Sequence, residues 1–315
     1  MTVRFGSPVR ARGIAGALGL AMLVTVSAQA QDIPAPAMDE GLHTQLPQAL
    51  RDRGVVRVVS TFGYAPQQFF GDDGVTPEGL SVDLANALGA VLGMRVEFTN
   101  AAFDSIIPGL EAGRFDMAIA AMSATAERGA KVNFIVYEKT GAQLLVREGN
   151  PKSINGLTDI CGIRMTELKG SLYNQVIEHV SDRCVKQGKG TIQIDTFDNS
   201  DSVFQALITG RADATYGDSS PLVYMARMSE GRLQVVGPQY PDIPYGIAIA
   251  GDNTDFARAM GTALDKLIKD GTYQAILDKW GLGFRATDSA AVTPVGSPAS
   301  AYPSPPSAVD IAFGK

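Results

Sequence analysis

The chain has 315 residues, with 27 Lys+Arg against 33 Asp+Glu and a formal net charge of −6. An acidic balance argues against a nucleic-acid partner, and 45% hydrophobic content is that of an ordinary globular protein. Two histidines, His43 and His179, and two cysteines, with no acid cluster beside them, give neither a metal-ligand set nor a Ser-His-Asp arrangement, so no metal, no cofactor and no catalytic triad are expected.

Arg4, Arg10 and Arg12 precede an apolar run from Ile14 to Val26, and Ala28-Gln29-Ala30 follows. This is the pattern of a secretory signal over residues 1–30, cleaved after Ala30, and the run is short for a membrane span. The signal holds three arginines and no acid, so its removal leaves −6 − 3 = −9. No cysteine stands directly after the cleavage site, where Gln31 is, so the product is expected to be exported without a lipid anchor, to a periplasm. The remaining 315 − 30 = 285 residues suffice for two domains. Residues 31–45, with Pro34 and Pro36, read as a flexible lead-in.

Val55 to Ser60 is the first strand. Ser81 and Asp83 suit the start of a helix that continues through Leu84, Leu88, Val91 and Leu92 at helical spacing. A strand over Arg95 to Thr99 and a helix entered at Phe103 follow. Phe115 to Met122 is apolar on both faces after Asp116, as in a strand covered on both sides. It turns into Ser123, Thr125 and Arg128. Hydroxyl caps and freed N–H groups at a helix start favour an anion, and a guanidinium grips a carboxylate with two parallel hydrogen bonds. Taken alone, the same residues also make a surface turn with a solvated arginine.

Gln143 to Arg147 leaves the first half of the chain and Gln239 to Ala250 returns to it. Two strand-like crossovers between compact halves form a hinge, placing one lobe at 46–146 plus 244–284 and the other at 147–243. Within the second lobe, a strand at Ile163 to Thr166 leads through Glu167-Leu168-Lys169-Gly170-Ser171 into a helix from Leu172, and Asp218 stands before Ser219-Ser220-Pro221. Helices at Asp255 to Lys269 and Thr272 to Trp280 close the pattern. Residues 288–308 hold five prolines with Ser and Ala, so 285–315 reads as a disordered tail. In an exported chain with an even cysteine count, Cys161 and Cys184 are expected to form a disulfide, two buried free thiols being the alternative.

Ala121-Met122-Ser123-Ala124-Thr125-Ala126-Glu127-Arg128 resembles the core motif of the family 3 extracellular solute-binding proteins, the amino-acid receptors of ABC importers. Gly79 to Leu84, Phe103 to Leu110 and Asp278 to Gly281 resemble further family motifs in the family's order, so that the likeness runs from Leu50 to Gly283. It implies an α/β, two-lobed periplasmic-binding-protein fold of type II with two hinge strands. It also implies a monomer that closes on a free amino acid and delivers it to an inner-membrane ABC permease. Arg128 would then hold the α-carboxylate, helped by Ser123 and N–H groups near Ala121 and Ser171. Asp218, with Ser123, would hold the α-ammonium, and Tyr64 and Phe103 would sandwich the side chain.

Three departures bear on the ligand. Gln67 replaces a family Phe, Leu172 replaces a Thr, and Thr61 stands where receptors for basic amino acids carry an Asp. Around the ligand's far end Thr61, Tyr64, Phe103, Leu168 and Leu172 are expected, none of them charged, which predicts an uncharged ligand side chain; an acidic one stays open, since Lys169 and Gln67 are near enough in sequence to swing in. The chain is not expected to be an enzyme. The rival of another class is a cyclohexadienyl dehydratase, an enzyme on this same fold that needs a general acid. Besides Asp218, Glu167 is the only acid the sequence sets near the second-lobe cleft.

Overall fold

In the computed structural model of the chain, residues 33–303 and 307–314 are described; the signal segment read at residues 1–30 lies outside them. The strands in chain order are β1 (Val55–Ser60), the short pair β2 (Phe69–Phe70) and β3 (Pro77–Glu78), β4 (Arg95–Asn100), β5 (Met117–Ala118), β6 (Val132–Glu138), β7 (Gly141–Arg147), β8 (Arg164–Leu168), β9 (Gln193–Phe197), β10 (Ala214–Asp218), β11 (Leu233–Pro241), β12 (Tyr245–Ala250) and β13 (Ala291–Thr293). Six of them form one mixed sheet, ordered β13-β6-β12-β5-β1-β4, and five a second, ordered β11-β7-β10-β8-β9.

Each sheet is a lobe with its own core. Val56, Val58 and Val59 on β1 are fully buried, as a parallel strand covered on both faces requires. One cover is the helix Leu80–Val91, which buries Leu80, Leu84, Leu88 and Val91 at 3.6-residue spacing. The helix Thr254–Asp270 does the same with Phe256, Met260, Ala263, Leu264 and Leu267. In the second lobe, the helix Leu172–Lys186 sends Tyr173, Ile177, Val180 and Cys184 into the core beside Met165 and Tyr216. Cys184 is bonded to Cys161, with their Cα atoms 5.5 Å apart. The disulfide ties the loop before β8 to the end of that helix.

The chain passes between the lobes twice, at Lys139–Thr140 between β6 and β7 and at Asp242–Pro244 between β11 and β12. The first passage comes earlier than the expected boundary at 146/147, because β7 belongs wholly to the second sheet, paired with β10 and β11. An apolar run identifies a strand but not the sheet it joins.

Two segments expected to lack structure are ordered. In the lead-in, Asp39 caps the helix Glu40–Gln45, accepting from Leu42 N at 3.1 Å, and its other oxygen pairs with Lys266 at 2.7 Å. Leu42 and Leu46 are buried in the first core. The expected tail adds β13 to the edge of β6 by antiparallel pairing. Tyr302 is buried against Gly129, and the helix Ala308–Phe313 buries Ala308 and Val309 in the second core, with Asp310 paired to Arg183 at 3.0 Å. Few large apolar residues are present there, but Val292, Tyr302 and Val309 dock, while Ile311 stays exposed. Strand addition uses main-chain hydrogen bonds that composition does not reveal.

Candidate ligand-binding site

In an open α/β sheet a ligand crevice forms where neighbouring strands lead off to opposite sides, at their carboxyl ends. The first sheet splits this way at β1, whose neighbours β4 and β5 lie on either side of it, and the second at β8, flanked by β9 and β10. The two split points face each other across one cavity. From the first lobe it is lined by Thr61 after β1, by Ala120, Ala121 and Ser123 after β5, and by Tyr64, Gln68, Phe103 and Arg128. From the second lobe come Glu167 and Leu168 on β8, Ser171, Leu172 and Tyr173 at the next helix, and Thr215, Tyr216 and Gly217 on β10. Ser200, Val203, Phe204 and Leu222 complete it.

Nine of the ten expected binding residues therefore meet in one place: Arg128, Ser123, Tyr64, Phe103, Ala121, Ser171, Thr61, Leu168 and Leu172. Thr125 caps the short helix Ala126–Gly129 through its hydroxyl and so fixes the backbone of Arg128. Arg128 donates from Nη1 to the Ser123 carbonyl at 2.9 Å and from Nη2 across the cleft to the Gly170 carbonyl at 3.0 Å. Its guanidinium stands 5.4 Å from the centre of the Phe103 ring. Two of its five N–H donors are thereby used; the other three have no acceptor among the described residues. Burial lowers its pKa to about 10, so it stays cationic at neutral pH. Ala121 has a φ of 49°, the left-handed region that a non-glycine residue rarely enters, and this turns the main chain at the cavity wall. Ser171 caps the helix Leu172–Lys186, its hydroxyl accepting from Asn174 N at 3.0 Å. Tyr64 lies parallel to Phe204, ring centres 6.5 Å apart.

The lobes are closed on one another. Besides the Arg128–Gly170 bond, Lys169 pairs with Asp104 at 2.8 Å and the hydroxyls of Tyr173 and Tyr245 are 3.0 Å apart. Gly170, with φ +74°, sits where a Cβ would come within 3.0 Å of Asp104, so glycine suits both the turn and the approach.

Asp218 is placed differently from the expectation. It does not line the cavity and is fully buried. One oxygen accepts from Ser220 N at 2.8 Å, and the other from Arg285 Nη1 at 2.8 Å. The same Nη1 donates to Glu138 at 3.0 Å, and Arg285 Nη2 donates to the Ser219 hydroxyl at 3.0 Å. Gln67 holds both oxygens of Glu138 through its side-chain amide, at 2.9 and 3.0 Å. A resident guanidinium thus occupies the acid meant for the ligand's ammonium. Burial raises Glu138 to about 7, against the pull of Arg285. Against the cost of its own burial, Asp218 and Glu138 hold Arg285 well above its ordinary value. No motif announces Arg285, which follows the last family motif in a stretch read as the start of the tail.

Two more expectations are corrected here. Lys169 is engaged with Asp104, and Gln67 with Glu138, so neither swings into the cavity. Glu167, the acid expected near the second-lobe cleft, does line the cavity and is only 2% exposed, so the lining is not free of ionisable acids as the expected far-end set was. Among the described residues no cluster of His, Cys, Asp and Glu could hold a metal, and no helix is long and apolar enough to cross a membrane.

The profile of the bacterial extracellular solute-binding proteins, family 3, matches residues 56–283. An arginine-binding protein, ArgT, of Corynebacterium glutamicum is 29% identical over 263 residues, 83% of this chain and 85% of that protein. The L-cystine-binding protein TcyJ of Escherichia coli K12 is 28% identical over 243 residues, 77% of this chain and 86% of that protein. Among solved structures, an ancestral arginine-binding protein bound to glutamine superposes with a TM-score of 0.67 at 33% identity, covering 73% of this chain and 99% of that one.

Proposed function

The chain belongs to the bacterial extracellular solute-binding proteins, family 3, and we propose that it captures a free amino acid between its lobes and hands it to an inner-membrane ABC permease. Arg128 carries this reading. It is a guanidinium at the lobe interface, fixed by two main-chain carbonyls, with three donors left for a carboxylate. The main-chain N–H groups near Ala121 lie on the same wall for the carboxylate, the Ser123 hydroxyl for the ammonium, and Tyr64 and Phe103 bracket the space beyond. Contacts to Gly170, Ser171 and Leu172 come from the opposite lobe. A ligand that touches both lobes favours the closed state through interactions absent from the open one.

The export signal read at residues 1–30 and the extracellular setting of the family support a periplasmic protein, which we take to meet its permease as a monomer. A thermal-shift screen of the twenty amino acids tests the function, since a ligand present at 100 times its Kd stabilises the fold by about 2.7 kcal/mol. The expected result is a raised midpoint with a small set of amino acids; no shift with any of them would count against the reading.

A further inference from the structure

β8 and β10 pair at one position, Met165 with Ala214, and then diverge toward the cavity. Glu167 fills the gap they leave. One carboxylate oxygen accepts from the main-chain N–H of Tyr216 at 2.9 Å, where a ladder carbonyl would otherwise serve. The second oxygen receives no hydrogen bond from any described residue. The side chain is 2% exposed and lines the cavity.

The charged groups around it are already engaged. Arg164, on its own strand, is bound to Asp213. Lys169, two residues on, pairs with Asp104 and Asp198. Asp218, on β10, is bound to Arg285. Tyr216 is the titratable side chain whose ionisation Glu167 opposes. Arg128 stands on the first lobe, bound to the Ser123 and Gly170 carbonyls. Arg128 and Glu167 line the cavity from different lobes, Glu167 at the split of the second sheet.

We propose that Glu167 is the site for a cationic group at the far end of the ligand's side chain, an ammonium or guanidinium such as lysine, ornithine or arginine carries. This rests on the reading above, in which Arg128 takes the α-carboxylate. A buried carboxylate without a counter-charge is unfavourable, and a buried cation without one equally so; the two together are tolerated when paired and hydrogen-bonded. Thr61 leaves the first lobe without an acid for such a group, and Glu167 supplies one from the second. The cation would then bind across the cleft, so that its recognition would depend on closure.

Burial pushes the Glu167 carboxyl well above the ordinary carboxylate range, and a cation seated beside it would favour the ionised form. Pairing with a ligand cation ionises it. The carboxyl proton passes to solvent, and the carboxylate oxygens accept from the ligand's N–H groups. Binding of a cationic amino acid should therefore release more protons than binding of a neutral one.

The test is calorimetry of the full chain and of Glu167→Gln with arginine, lysine, ornithine, citrulline and norleucine, each in two buffers of different ionisation enthalpy. Glutamine keeps an acceptor for Tyr216 N, so the fold is retained, and circular dichroism with a melting curve checks this. In the wild type the cationic ligands are expected to bind at least tenfold more tightly than citrulline or norleucine, with proton release. In Glu167→Gln they should lose a factor of ten or more and release no proton, while neutral ligands hold or gain affinity. Two results would overturn the proposal while leaving amino-acid capture intact: neutral ligands preferred by the wild type, or equal losses for all ligands in the variant. Binding of no amino acid at all would remove both.

Discussion

Arg285→Met is the most informative single change outside the cavity. The guanidinium is 2% exposed and is the cation shared by Asp218 and Glu138, both fully buried. Methionine fills much of the same volume and leaves the two carboxylates facing one another. Removing one partner of a buried ion pair costs about 3–5 kcal/mol, because the remaining charge is uncompensated. Here two charges are left, which points to the upper part of that range. Gln67 still donates to both oxygens of Glu138 and Ser220 N still donates to Asp218, which moderates it. Proton uptake moderates it further: burial already lifts Glu138 to about 7, and without Arg285 it would titrate higher still. The expected loss is therefore about 4 kcal/mol at pH 8, measured by urea unfolding, and distinctly less at pH 5.5. A triple variant, Arg285→Met with Asp218→Asn and Glu138→Gln, should recover most of it. A loss below about 1 kcal/mol at pH 8, or an equal loss at both pH values, would refute the reasoning.

The remaining expectations concern the ordered C-terminal segment, the disulfide and pH. Deleting residues 286–315 removes β13 and uncovers the surfaces under Tyr302 and Val309, so the unfolding free energy should fall by about 2–4 kcal/mol, allowing for the chain entropy regained; an unchanged melting curve would contradict the docking. The double change Cys161→Ala and Cys184→Ala should cost about 3 kcal/mol in the loop-closure account, and no change in the urea midpoint would contradict it. For Glu138 the sign follows from proton binding. Its folded pKa of about 7 lies above the ordinary glutamate value of 4.5, so between those values the folded chain binds more protons than the unfolded one, and stability falls as pH rises through that window. Unfolding of Glu138→Gln at pH 5 and pH 8 should show a smaller drop than the wild type, and an undiminished drop would assign the effect to other groups.

The fold was legible where periodicity and local chemistry carry it. Leu84, Leu88 and Val91 mark a helix face, and the disulfide follows from export and an even cysteine count. Most of the cavity was legible too, because strand ends, caps and Arg128 lie within single motifs. What the sequence concealed arises between distant segments. Asp218 looks like a ligand acid until Arg285, 67 residues later, is seen bound to it. The sequence set Glu167 near the second-lobe cleft, but its unpaired carboxylate in the cavity wall comes from the divergence of β8 from β10. β13 depends on an open edge of β6, and a Pro- and Ser-rich composition says nothing of that edge.

The central claim is that Arg128 holds the carboxylate of a captured amino acid. It is tested most directly by isothermal titration of wild type and Arg128→Ala with the amino acid that stabilises the wild type most. Losing one half of a buried, hydrogen-bonded charge pair costs about 2–5 kcal/mol, so affinity should fall by roughly 30-fold to several thousandfold, with the melting curve of the unliganded variant showing a folded protein. Affinity within about threefold of wild type, in a variant that is folded, would contradict the account.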